Sequence, residues 1–82
     1  MKAKIYIKYK DGILDPQGAT VGEALKSMGY KSVDEVSVGK FIELNFTDIY
    51  KIADVEKITD EACKKLLANP NTESYTFEIV ES

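Results

Sequence analysis

Residues 33–46 constrain the fold more than any other part of the chain. Val36, Val38, Ile42, Leu44 and Phe46 share one parity; Glu35, Ser37, Gly39, Phe41, Glu43 and Asn45 share the other. Alternation of this kind marks a strand with one buried face. Lys40 interrupts the apolar series. A single strand of this length is roughly twice the usual ~5–6 residues. Two arrangements accommodate it. Gly39-Lys40 forms a two-residue hairpin turn, with glycine first as a type II′ turn requires. Alternatively the strand runs through, with a bulge or bend at Gly39. The continuous strand is preferred. Its far half overruns a small sheet and is free to pair with another chain.

The remaining elements follow from periodicity and breakers. Residues 2–10 alternate, with Ala3, Ile5, Ile7 and Tyr9 on one face and lysines with Tyr6 on the other. Asp11-Gly12 ends this strand. Asp15 is a good N-cap, and Pro16 suits the first helical position. Val21, Ala24, Leu25 and Met28 then form one apolar stripe, and Gly29 is placed for a left-handed cap. Gly18 and Gly22, four apart, predict close packing of that helix on a neighbouring backbone. Residues 47–53 read as a connector with a short helical turn. Residues 54–68 read as a second helix, capped by Asp54, with Val55, Ile58, Ala62, Leu66 and Leu67 inward and Asn69-Pro70 stopping it. Residues 75–81 form the last strand, whose outer glutamate faces the lysines of the first. The order β-α-β-α-β predicts a small α+β two-layer sandwich resembling the ferredoxin-like fold, two helices on one face of a mostly antiparallel sheet. Residues 1–82 read as a single domain. The open sheet face, with Tyr6, Phe41 and Val80, and the long middle strand predict a dimer or larger assembly.

Composition then excludes chemistry. The chain has 82 residues, 11 basic and 14 acidic, and every base is lysine. It lacks His, Arg and Trp, and has one cysteine. No Ser-His-Asp or Cys-His unit is possible, nor an imidazole base. One cysteine makes neither an internal disulfide nor a zinc site. An acidic chain without arginine is a poor nucleic-acid binder. No basic segment with a long apolar run opens the chain, and no apolar run approaches ~20 residues, so the expectation is a cytoplasmic protein without membrane contact. Gly39-Lys40 fails as a phosphate loop, because Asp34 and Phe41 stand where Gly and Ser or Thr are needed. Cys63 reads as a small buried hydrophobe. The carboxylates read as solvated faces rather than catalytic pairs. Lys40 is read either as a snorkelling edge lysine or as a contact to another chain or an anion. The expected catalytic, metal and cofactor sets are therefore empty.

Several runs resemble the PurS family, the small subunits of phosphoribosylformylglycinamidine (FGAM) synthase. They are Gly12-Ile13-Leu14-Asp15-Pro16-Gln17-Gly18, Ala24-Leu25, Met28-Gly29-Tyr30, Val38-Gly39-Lys40-Phe41-Ile42-Glu43-Leu44, Lys65-Leu66-Leu67-Ala68-Asn69-Pro70 and Tyr75-Thr76-Phe77-Glu78-Ile79. They occur in family order over nearly the whole chain. Ser37 stands where many relatives carry arginine, and residues 45–57 are less like the common form.

The resemblance implies a non-catalytic, dimeric subunit with segments exchanged between protomers. It implies a place in an ATP- and glutamine-dependent ligase complex at the fourth step of purine biosynthesis. There the subunit bridges a glutaminase and a large synthetase, so that glutamine-derived ammonia is used. The matching motifs make Asp15, Pro16, Gln17, Gly18, Gly39, Lys40 and Glu43 the expected partner-binding residues. Two other classes use similar folds. A small-ligand regulatory domain predicts saturable binding of an amino acid or nucleotide. An acylphosphatase-like enzyme wants an arginine for phosphate, which this chain lacks.

Overall fold

In the computed structural model the described residues are 1–47 and 50–81. The elements are β1 (Lys2–Tyr9), α1 (Pro16–Ser27), β2 (Lys40–Asn45), α2 (Ile52–Ala62), a π-helical turn (Cys63–Leu67) and β3 (Glu73–Val80). The sheet is antiparallel throughout, in the order β2-β1-β3. The α+β class and the element order are those expected. Of the connector expected over 47–53, Asp48 and Ile49 lie outside the described residues.

The alternation of β1 sets the sheet's two faces. Ala3, Ile5 and Ile7 are buried, and with Cys63 and Ala68 the two isoleucines form the centre of the core. Each isoleucine removed from water contributes roughly 1.5–3 kcal/mol. Ile42, Leu44, Tyr75, Phe77 and Leu67 pack around them. On the other face Lys4 stands in register with Glu43 of β2 and Glu78 of β3. The expected juxtaposition of β1 lysine and β3 glutamate is present in Lys4 and Glu78, and β2 adds an ion pair between Lys2 and Glu43 at 3.0 Å.

The ladder of the middle segment is shorter than its alternation. Pairing with β1 begins at Lys40, opposite Ile7, and ends at Asn45. Residues 33–39 form no ladder among the described residues. Gly39-Lys40 is neither a hairpin turn nor a bulge. A Cβ at Gly39 would sit 2.5 Å from the Ile7 carbonyl oxygen, so glycine serves a close backbone approach there.

Three expectations for the helices need correction. First, α2 starts at Ile52 after Lys51, not at an Asp54 cap, and Asp54 instead supplies negative charge to the first turn. Second, its inward stripe is Val55, Thr59 and Cys63, while Ile58 and Leu66 are exposed. The cause of the Leu66 error is the π turn, where the Ala68 N–H donates to the Cys63 carbonyl at 3.0 Å. One extra residue per turn rotates Leu67 and Ala68 inward and Leu66 out. Third, of the two helices only α2, with the π turn that follows it, packs on the sheet among the described residues. Among the described residues α1 shares no substantial packing with the sheet or with α2.

The first helix nevertheless has the expected ends. Gly29, at φ +94°, closes it, with the Gly29 N–H on the Lys26 carbonyl and the Tyr30 N–H on the Leu25 carbonyl. That pair of bonds is a Schellman cap. Its stripe stays largely open: Val21 and Met28 are exposed and Leu25 is half-buried. The chain is accordingly elongated, 52 × 28 × 14 Å, with a radius of gyration of 16.3 Å. A close-packed chain of this length has a radius near 12 Å.

Candidate functional site

The site forms where α1 begins and β2 is about to begin. Asp15 is the N-cap of α1, in extended conformation, and Pro16 follows at the first helical position. The Asp15 Oδ1 accepts the Gly18 N–H at 2.8 Å. Its Oδ2 accepts the Val38 N–H, also at 2.8 Å, from 23 residues away. The Val38 N–H above all, then the Gly18 N–H, hold the Asp15 carboxyl below the ordinary aspartate range.

Gly18 completes the contact. A Cβ there would meet the Val36 carbonyl oxygen at 2.3 Å and the Asp15 Oδ2 at 2.6 Å. At Gly22, one turn on, the nearest atom is the Val36 Cγ2 at 3.7 Å. The predicted packing of the glycine face on a neighbouring backbone is thus met, and the backbone is that of residues 36–38. Val36 and Val38 are half-buried under α1. Sequence reasoning gave them to a sheet face; they form the seat of a helix.

Two depressions flank this seat. An apolar groove of about 490 Å3 is lined by Pro16, Gln17, Thr20, Val21 and Val38. Beside it a small recess brings Gln17, Val38, Gly39 and Lys40 together with Glu73 of β3. The Lys40 ammonium lies 3.6 Å from the Glu73 carboxylate and is well exposed. An exposed pair of this kind adds little stability. Both the edge-lysine reading and the contact reading are compatible with that position.

The structure therefore gathers Asp15, Pro16, Gln17, Gly18, Gly39 and Lys40 at one junction. Glu43 is elsewhere. It lies on the outer sheet face, 3.0 Å from the Lys2 ammonium. Tyr6 and Phe41 share that face, exposed, with ring centroids 5.2 Å apart. Among the described residues no three His, Cys, Asp or Glu side chains are grouped to hold a metal ion. The junction presents apolar surface, the Gln17 amide, the Lys40 ammonium and the Asp15 and Glu73 carboxylates.

Comparison with known proteins decides the family. The family model described as PurS, phosphoribosylformylglycinamidine (FGAM) synthase, matches residues 2–81. The chain belongs to the PurS family. The PurS subunit of Bacillus subtilis is 41% identical over 80 residues, covering 98% of this chain and 93% of the relative. That of Methanocaldococcus jannaschii is 38% identical over 81 residues, covering 95% and 93%. Among solved structures, B. subtilis PurS superposes with a TM-score of 0.84 at 42% identity, covering 98% of each chain. A chain in the structure of PurLQS from Thermotoga maritima gives a TM-score of 0.82 at 28% identity, covering 94% of this chain and 93% of that one. The standing-off α1 is thus compatible with the known fold of PurS chains.

Proposed function

We propose that this protein is the small, non-catalytic subunit of a phosphoribosylformylglycinamidine synthase in purine biosynthesis. It bridges the glutaminase and the ATP-dependent synthetase in the cytoplasm, and it acts as a dimer or larger assembly. The observation that carries this reading is likeness over the whole chain to PurS subunits, including the chain from PurLQS. Chain chemistry supports it, since His and Arg are absent and the junction is built for contact. Among the described residues no helix is long and apolar enough to cross a membrane.

Self-association has its own support. The stripe of α1, the groove beside Val38 and the unladdered residues 33–39 are open in one chain. Burying such surface against a second copy is favourable at about 25 cal/mol per Å2 of apolar area. Asp15, Pro16, Gln17, Gly18, Gly39 and Lys40 are proposed as one contact surface. Glu43 is proposed as part of a second, on the outer face of the sheet.

Analytical ultracentrifugation tests the reading. Alone, the protein is expected to sediment as a dimer or larger species at micromolar concentration. With its cognate glutaminase and synthetase it is expected in a single complex containing all three chains. A monomer that joins neither subunit would contradict the proposal.

A further inference from the structure

Asp15 uses more of its carboxylate than a helix cap needs. Capping takes one oxygen, and serine or asparagine does it as well as aspartate. Here Oδ1 alone meets that need, on the Gly18 N–H. The second oxygen reaches across 23 residues to the Val38 N–H at the same 2.8 Å. Only a carboxylate presents two anionic acceptors at once. Bonds to an ionised acceptor are about twice as strong as neutral ones.

The surroundings make this bond decisive for the segment it holds. Residues 33–39 have no ladder partner among the described residues, and α1 has no substantial packing on the sheet. A cleft of about 340 Å3 opens beside them, between Lys8–Lys10 on one side and Glu35, Val36 and Ser37 on the other. The Asp15 bond at Val38 and the Gly18 contact at Val36 hold the middle of the segment on α1, with the Val36 side chain beside Gly22, while the Val33 N–H ties its start to the Tyr30 carbonyl. Gly39 and Lys40 follow directly, and Gln17 shares their recess.

We propose that Asp15 is a positioning residue, whose Oδ2 clamps residues 33–39 to α1 and so joins Gln17 and Lys40 into one contact surface. The clamp is internal to this chain. Its consequence for assembly rests on the function proposed above.

Three variants separate clamping from capping. Asp15→Asn and Asp15→Ser each keep an oxygen for the Gly18 N–H and leave none for Val38. Asp15→Ala removes both bonds. Hydrogen exchange by NMR reads the clamp directly. The Val38 amide is expected to exchange at least roughly tenfold faster in all three variants, with Ile5 and Ile7 in β1 unchanged. Wild-type exchange at Val38 in both Asn and Ser variants would overturn the clamp. Binding to the glutaminase and synthetase subunits reads the consequence. All three variants are expected to bind at least about tenfold more weakly. Loss confined to Asp15→Ala would mean capping only and would overturn the positioning role. Faster Val38 exchange with wild-type affinity would overturn it equally. If the wild-type protein binds neither subunit, the proposed function fails, while the exchange data still decide the clamp.

Discussion

Thr59 and Tyr75 show how single side chains on α2 and β3 shape the core. Thr59 is fully buried in the inward stripe, and its hydroxyl oxygen has no hydrogen-bond partner among the described residues. An unsatisfied buried hydroxyl costs about 1–2 kcal/mol. Thr59→Val keeps the shape and removes the group. It is expected to raise the melting temperature by roughly 4–8 °C per kcal/mol regained, as read by calorimetry. Tyr75 donates its hydroxyl to the Asp60 carboxylate at 2.6 Å, and the Lys64 ammonium lies 2.9 Å from the other oxygen. The bond pushes the Tyr75 phenol up to about 12 and, with Lys64, holds Asp60 below its ordinary range. The signs are opposite. Raised in the fold, the Tyr75 pKa gives stability complete below pH ~10, the unfolded value, and lost as pH rises towards about 12. Lowered in the fold, the Asp60 pKa gives stability present above the ordinary aspartate range and lost on acidification through the folded value. Ultraviolet titration should show a tyrosine step near pH 12 that Tyr75→Phe removes. A wild-type titration complete by pH 11 would contradict the bond.

At the scale of elements, α1 and its seat give a paired prediction. Alanine is favoured over glycine in a helix by about 1 kcal/mol. At Gly22 the new Cβ finds ordinary contact, 3.7 Å from Val36, so Gly22→Ala is expected to stabilise by up to that amount. At Gly18 it would meet a backbone oxygen at 2.3 Å, and the clash outweighs propensity. Gly18→Ala is expected to cost a net ~1–3 kcal/mol. Urea midpoints of the two variants should move in opposite directions.

Much of this level was legible in the sequence. The strands of β1 and β3, the Asp15 cap, the Gly29 stop and the close packing at Gly18 are all local signals. They follow from alternation, capping chemistry and the size of glycine. Three features were not local. The alternation of 33–46 reports a segment that is extended and half-buried, whatever covers it, so it did not distinguish a ladder from the seat of a helix. The π turn at Cys63–Leu67 breaks the 3.6-residue period from which Leu66 was placed inward. The Asp15–Val38 bond joins residues whose separation carries no pattern. Val36 and Val38 did carry a signal, since Gly18 and Gly22 required a backbone partner. Nothing named that partner until the chain was folded.

Over the whole molecule, the elongated shape and the open α1 stripe describe a chain built to be completed by others. Its chemistry is sparse, with no imidazole or guanidinium anywhere in the sequence. Its junction brings two sequence motifs, Asp15–Gly18 and Gly39-Lys40, to one place in the fold. Holding two catalytic subunits together raises the local concentration of an intermediate passed between them, as tethering does in general. The gain is largest for a small neutral molecule such as ammonia, which is otherwise lost to water. The most direct test measures amidine formation by the cognate glutaminase and synthetase, with and without this protein. Glutamine and free ammonia serve as alternative nitrogen sources. Glutamine-driven activity is expected to require this protein, and ammonia-driven activity is expected to proceed without it. Equal glutamine-driven rates in its presence and absence would contradict it.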